Sequence, residues 1–123
     1  MRQRRRVLVA DDQAEIREIL EQVLREEGCE VYTARNGHEA VAVASLVAPD
    51  LVLLDISMPG PSGWETLPLL QQKAPGAGVV IMTGCDVEAA AARAGALGLG
   101  FLAKPFDLEE IRRLAGNGTE ESA

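Results

Sequence analysis

Five short apolar runs, each followed by a segment of helical periodicity, constrain this chain more than any other feature. Val7–Ala10, Glu30–Thr33, Leu51–Leu54, Val79–Met82 and Gly100–Ala103 read as strands. Three of them are almost wholly apolar, as strands of a parallel sheet covered on both faces must be. In the first intervening segment Ile16, Ile19, Leu20, Val23 and Leu24 follow the i, i+3, i+4, i+7, i+8 stripe of an amphipathic helix. That helix is expected to start near Gln13 and to stop at Gly28, a suitable C-terminal cap. Gly37–Leu46 is rich in alanine and valine and stops before Pro49, while Gly63–Lys73 carries Trp64, Leu67 and Leu70 on one face. Asp86–Leu97 is alanine-rich with Asp86 placed as its N-cap, and Asp107 is placed to cap a short last helix bearing Leu108, Ile111 and Leu114. Five βα units with short connections predict an α/β fold: a doubly wound five-stranded parallel sheet with right-handed crossovers and helices on both faces.

The chain is long enough for one domain, expected over residues 6–115, at 123 residues. Aromatic residues are only 3%, so Val, Leu, Ile and Ala must build the core. That scarcity and a net charge of −7 argue against nucleic acid as a partner. Residues 1–5 form a basic run expected to be a solvated tail. The run leads straight into Val7–Ala10, too short for the apolar part of a signal peptide, and no apolar run reaches membrane-spanning length. Cys29 and Cys85 lack ligand spacing and suit a reduced, cytoplasmic compartment. Residues 116–123 are small and polar and are expected to be a flexible tail.

The chemistry gathers at the strand ends. Asp11 and Asp12 directly follow the first strand, Asp55 the third, Thr83 the fourth, and Lys104-Pro105 the fifth. Ligands of open α/β sheets bind beyond the carboxyl ends of the strands, at a switch point in strand order. The order 2-1-3-4-5 puts the first and third strands side by side there. Three carboxylates crowded together need protonation, a neighbouring cation or a metal, and the single charge of Lys104 does not balance three. A hard divalent ion bound through oxygen, such as Mg²⁺, is the natural complement. One carboxylate could then attack phosphorus as a nucleophile, with Lys104 and the Thr83 hydroxyl on the transferred oxygens. Taken singly, Asp-Asp after a strand is often only a helix cap and Asp55 a loop acid. Their coincidence at consecutive strand ends is what points to a site.

These residues carry a resemblance to a known family. Val7-Leu8-Val9-Ala10-Asp11-Asp12, Asp55-Ile56-Ser57-Met58-Pro59-Gly60 with Gly63, Met82-Thr83-Gly84 and Phe101-Leu102-Ala103-Lys104-Pro105-Phe106, with Asn36-Gly37-His38-Glu39-Ala40, resemble the receiver domain of two-component response regulators. The likeness covers roughly Arg6 to Leu114. It implies a flavodoxin-like three-layer sandwich and a phosphoacceptor signalling domain, not a classical enzyme, with intrinsic autophosphorylation and autodephosphorylation chemistry. It implies that Asp55 accepts a phosphoryl group from a phosphohistidine of a sensor histidine kinase or phosphotransfer protein. Asp11, Asp12, Asp55 and the backbone carbonyl of Ser57 would hold Mg²⁺, while Thr83 and Lys104 grip the phosphoryl oxygens. Phe101 stands at the family's switch aromatic, and the surface around the fourth helix and fifth strand would address a downstream protein. A monomer or weak homodimer is expected. The chain reads as a stand-alone regulator or as a receiver from a longer regulator or hybrid kinase, with no DNA-binding domain after Leu114.

Several residues depart from the family pattern. Ala94–Gly100 is apolar and glycine-rich, which predicts a shifted or loose end to the fourth helix and a mobile output surface. Pro68 predicts a kink or a late start to the third helix, and Trp64 a half-buried packing residue. Cys85 reads as a bystander near the pocket mouth. A small phosphatase of the aspartyl-phosphate type would need a second carboxylate two residues after Asp55, where Ser57 stands. A pseudo-receiver would lack the aspartate or the lysine, and both are present.

Overall fold

The computed structural model describes the backbone of residues 4–122 and the side chains of residues 4–116. The elements run β1 (Arg6–Ala10), α1 (Ala14–Glu26), β2 (Glu30–Ala34), α2 (Gly37–Val47), β3 (Leu51–Asp55), α3 (Gly63–Lys73), β4 (Gly78–Thr83), α4 (Val87–Ala96), β5 (Gly100–Ala103) and α5 (Leu108–Ser122). All strand pairings are parallel and the order is β2-β1-β3-β4-β5, as the alternating pattern requires.

Strand residues alternate between two separate cores, the period-2 consequence of the pleat. Val7, Val9, Leu53, Val80 and Met82 face α1 and α5, where Leu20, Leu24 and Ile111 are fully buried. Leu8, Val52, Leu54 and Ile81 face the other way, against Ala40 and Ala44 of α2, Leu67 and Leu70 of α3, and Ala94 of α4. Each fully buried Leu or Ile contributes about 1.5–3 kcal/mol. The small residues of α2 permit close approach: a Cβ on Gly37 would stand 2.3 Å from the Thr66 hydroxyl of α3.

Two helices end in the same way. After α1, Gly28 adopts φ +90°, its N–H donates to the Arg25 carbonyl, and Cys29 N–H donates to Leu24. After α4, Gly98 adopts φ +73°, its N–H donates to Gly95, and Leu99 N–H donates to Ala94. Both are Schellman closures. The glycine-rich end of α4, expected to be shifted or loose, is thus a closed helix terminus in which Gly98 has a defined task.

Other expectations need correcting. The third helix does not start late. Ser62 and Glu65 form a reciprocal capping box at Gly63, so α3 is nucleated firmly ahead of Pro68. Asp86 holds the N-cap position of α4 but makes no side-chain cap bond, because its backbone is left-handed at φ 46°. Asp107 does cap, accepting from the Glu109 N–H at 2.9 Å, and α5 is longer than the short helix expected, reaching Ser122. Nor is the basic run simply solvated. The Arg5 guanidinium donates to the Leu114 carbonyl, and Arg6 donates to Asp50, Glu30 and the Val47 carbonyl. Met1–Gln3 lie outside the described residues. Among the described residues no helix is long and apolar enough to cross a membrane.

Candidate functional site: an acidic pocket at the strand ends

Register alone assembles the pocket. Ala10 pairs with Leu54 across β1 and β3, so the next residues, Asp11 and Asp55, emerge side by side. Thr83 pairs with Ala103 across β4 and β5, which brings the following Lys104 to the same edge. Gly63 lets this edge close up. A Cβ there would lie 2.6 Å from the Ile56 Cα and 2.8 Å from the Asp55 carbonyl oxygen.

Asp11 and Asp55 are buried and Asp12 is exposed, yet all three offer carboxylate oxygens within 4.8 Å of one another. Lys104 reaches in from β5, its side chain only 15% exposed, and its Nζ lies 2.6 Å from Asp11 Oδ2 and 3.3 Å from Asp55 Oδ2. The Lys104–Pro105 peptide is cis. The Ser57 N–H donates to Asp55 Oδ1 at 2.8 Å, and the Gln13 N–H donates to Asp11 Oδ1 at 2.9 Å. Burial pushes the Asp55 carboxyl above its ordinary range; Asp11 adds repulsion, while the Ser57 N–H and Lys104 act against it. Burial would lower the Lys104 ammonium, but its bonds and charge interactions with Asp11 and Asp55 outweigh this and hold it above the ordinary lysine value.

The donor set tests what could sit here. Three carboxylates face one ammonium, and every candidate ligand is a hard oxygen. Such a set suits Mg²⁺ or a similar hard divalent cation and is unsuited to zinc with thiolate ligands. Thr83 is buried at the rim, its Oγ1 3.2 Å from the Ser57 hydroxyl and 3.1 Å from the Cys85 N–H. Phe101 is not part of the pocket. It is half-buried on the α2–α3–α4 face of the sheet, paired in register with Ile81, one like-facing position back from Thr83.

Two neighbours of the pocket escaped the sequence reading. Gln13 Oε1 lies 3.4 Å from Lys104 Nζ, and the Arg17 guanidinium donates to the Asp11 carbonyl at 2.8 Å. The signal for Gln13 was present: it occupies the N-cap of α1, where Ser, Thr, Asp or Asn is the usual choice. Arg17 sits one helical turn further on and gives no such sign.

A doubly wound α/β domain with an oxygen-only acidic pocket at its switch point defines the class. Residues 7–115 match the family described as "Response regulator receiver domain", and the chain belongs to that family. The chain is 39% identical over 106 residues to the probable transcriptional regulatory protein TcrX of Mycobacterium tuberculosis, covering 85% of this chain and 45% of that protein. It is 38% identical over 110 residues to sporulation initiation phosphotransferase F of Bacillus subtilis, covering 87% of each. Among solved structures, NtrX from Brucella abortus superposes with a TM-score of 0.85 at 31% identity, over 97% of this chain and 28% of that one. The chain therefore spans less than half of TcrX and under a third of NtrX. It is a receiver domain of two-component phosphorelay signalling, a signalling module rather than a classical enzyme.

Proposed function

We propose that Asp55 accepts a phosphoryl group from a phosphohistidine on a sensor histidine kinase or phosphotransfer protein. The observation that carries this reading is the Lys104 ammonium set between two buried carboxylates, 2.6 Å from Asp11 and 3.3 Å from Asp55. The Asp55 carboxylate attacks phosphorus, the P–N bond of the phosphohistidine breaks, and the imidazole leaves with the bonding pair. Lys104 meets the charge on the transferred oxygens, and the Thr83 hydroxyl donates to one of them. Asp11, Asp12 and Asp55, with the Ser57 carbonyl, would hold Mg²⁺, which neutralises phosphoryl charge when bound. Water attack on phosphorus later returns the carboxylate and inorganic phosphate. The same pocket accepts from small acyl phosphates.

The donor docks in a groove of about 540 Å³ between α1 and the start of α5, lined by Ile16, Ile19, Val23, Phe106 and Leu108. Lys104 belongs to this groove as well as to the pocket, so a helix seated there can present its phosphohistidine to Asp55. Output follows from a population shift: the acyl phosphate draws Thr83 inward, Phe101 follows, and the surface of α4 and β5 changes for a downstream protein. We place this activity in the cytoplasm, in keeping with two free cysteines.

Incubation with acetyl phosphate and Mg²⁺, read by intact mass, tests the assignment. One phosphoryl group is expected on the wild type and none on Asp55→Asn. Steady release of phosphate over many substrate molecules would instead mark a phosphatase, and no change would mark a binding module.

A further inference from the structure

Among the described residues other than glycine, only Ala48 and Asp86 have a left-handed backbone, at φ 48° and φ 46°. Ala48 closes α2, where a left-handed residue is a usual terminator. Asp86 opens α4, where extended backbone is the rule. The N-cap residues Gln13, Asn36 and Ser62 follow that rule, and Asn36 and Ser62 each turn a side-chain oxygen onto the N–H three residues on. Asp86 has a carboxylate suited to the same bond and does not make it.

The turn before it accounts for this. Thr83 Oγ1 accepts from the Cys85 N–H at 3.1 Å, and its proton reaches the Cys85 carbonyl at 3.3 Å. One hydroxyl thus holds both backbone groups of Cys85. That carbonyl belongs to the peptide whose rotation sets the φ of Asp86. A phosphoryl oxygen on Asp55 would take the Thr83 proton, and the bond to the Cys85 carbonyl would be lost. The Cys85–Asp86 peptide is then free to turn, and Asp86 can return to extended backbone. Its carboxylate then meets the N–H of Glu88 or Ala89, the positions that an N-cap side chain serves. The left-handed backbone is costly for any residue but glycine, so this return is downhill.

We propose that Asp86 is a positioning residue acting through Thr83: its left-handed, uncapped state favours release of the Thr83 hydroxyl to the phosphoryl group, and its carboxylate caps α4 once the turn has opened. This rests on the reading of Asp55 as phosphoacceptor. It makes the first turn of α4 a segment that gains order when the pocket is filled.

The test uses the full chain with beryllofluoride as phosphoryl mimic and Mg²⁺ alone as control, both by calorimetry. Asp86→Gly holds the left-handed turn at no cost and has no side-chain oxygen, so beryllofluoride should bind about three-fold more weakly. Asp86→Ser keeps the capping oxygen but tolerates the left-handed turn less well, so binding should tighten about two- to three-fold. Both substitutions remove the same charge, so opposite signs cannot come from electrostatics. Affinity for Mg²⁺ should be equal in all three proteins. Hydrogen exchange at the Glu88 and Ala89 amides should slow on adding beryllofluoride to the wild type and to Asp86→Ser, and not in Asp86→Gly. Any other order of affinities, a parallel change in Mg²⁺ binding, or unchanged exchange in the wild type would overturn the inference while leaving Asp55 as acceptor. A wild type that binds Mg²⁺ but neither beryllofluoride nor a phosphoryl group would overturn the underlying reading itself.

Discussion

The side-chain oxygens of Ser57 and Thr83 lie 3.2 Å apart, linking the loop after β3 to the end of β4 directly across the pocket mouth. Thr83 Oγ1 also accepts from the Cys85 N–H at 3.1 Å and its O–H reaches the Cys85 carbonyl at 3.3 Å, so the hydroxyl that would meet a phosphoryl oxygen starts out engaged. Releasing it from Ser57 costs about 1 kcal/mol. Ser57→Ala removes that cost, and the grip of Thr83 on the acyl phosphate tightens. The phosphorylated variant should therefore keep its phosphoryl group about two- to five-fold longer than wild type, measured by the decay of the intact-mass adduct after donor removal. A shorter lifetime would contradict this account of Ser57.

The acidic pocket also sets a pH dependence. The Asp55 carboxyl is held above its ordinary value of 3.8, chiefly by burial. A carboxyl with a higher pKa folded than unfolded favours the folded state while protonated. That contribution is complete below the ordinary value and is lost as pH rises through the higher folded one. Asp55→Asn keeps the shape without the charge. At neutral pH in chelator it should be more stable than wild type, with the difference closing at acid pH. Added Mg²⁺ should narrow it at neutral pH by binding the wild type. Urea unfolding across pH reads all three effects, and a variant less stable than wild type at neutral pH would rule out the burial argument.

Docking and chemistry separate at Ile19. This residue is 44% exposed on α1 and lines the groove beside Lys104, yet touches none of the pocket carboxylates. Ile19→Glu puts a charge in the apolar centre of the proposed donor site without opening the core. Phosphotransfer from a cognate kinase or phosphotransfer protein should fall at least ten-fold, while labelling by acetyl phosphate stays within two-fold. Equal loss with both donors would place the defect in the pocket and remove the groove from the donor path.

The sheet and most of the pocket were legible in the sequence for one physical reason. In a parallel α/β fold, the residue after each apolar run emerges at one edge, so Asp11, Asp55, Thr83 and Lys104 could be placed by counting. The Lys104 contacts with Asp11 and Asp55 then follow from register. What could not be read depends on contacts between elements distant in sequence. Gln13 meets Lys104 across 91 residues, and the Arg5 guanidinium meets the Leu114 carbonyl across 109. The Gly98 closure was misjudged because glycine signals both freedom and a left-handed cap, and only the bonds from Gly98 and Leu99 to the preceding turn decide between them.

Arg93 of α4 stacks over the Trp64 ring of α3, 4.3 Å from its centroid. This contact ties the helix proposed to carry the output to a neighbour anchored by the Ser62–Glu65 capping box. A cation–π pair at an exposed site is worth about 0.5–1 kcal/mol, small enough for a phosphorylation-driven shift to overcome. Trp64 is the only tryptophan in the chain, so its emission reports this one contact. Arg93→Ala should alter that emission in the unphosphorylated protein and lower the unfolding free energy by about 0.5–1 kcal/mol. Phosphorylation with Mg²⁺ should change the emission of the wild type more than that of the variant, because the variant has already lost the contact that the shift of α4 breaks. Equal changes in both proteins would mean that α4 keeps its place on α3 when Asp55 is phosphorylated.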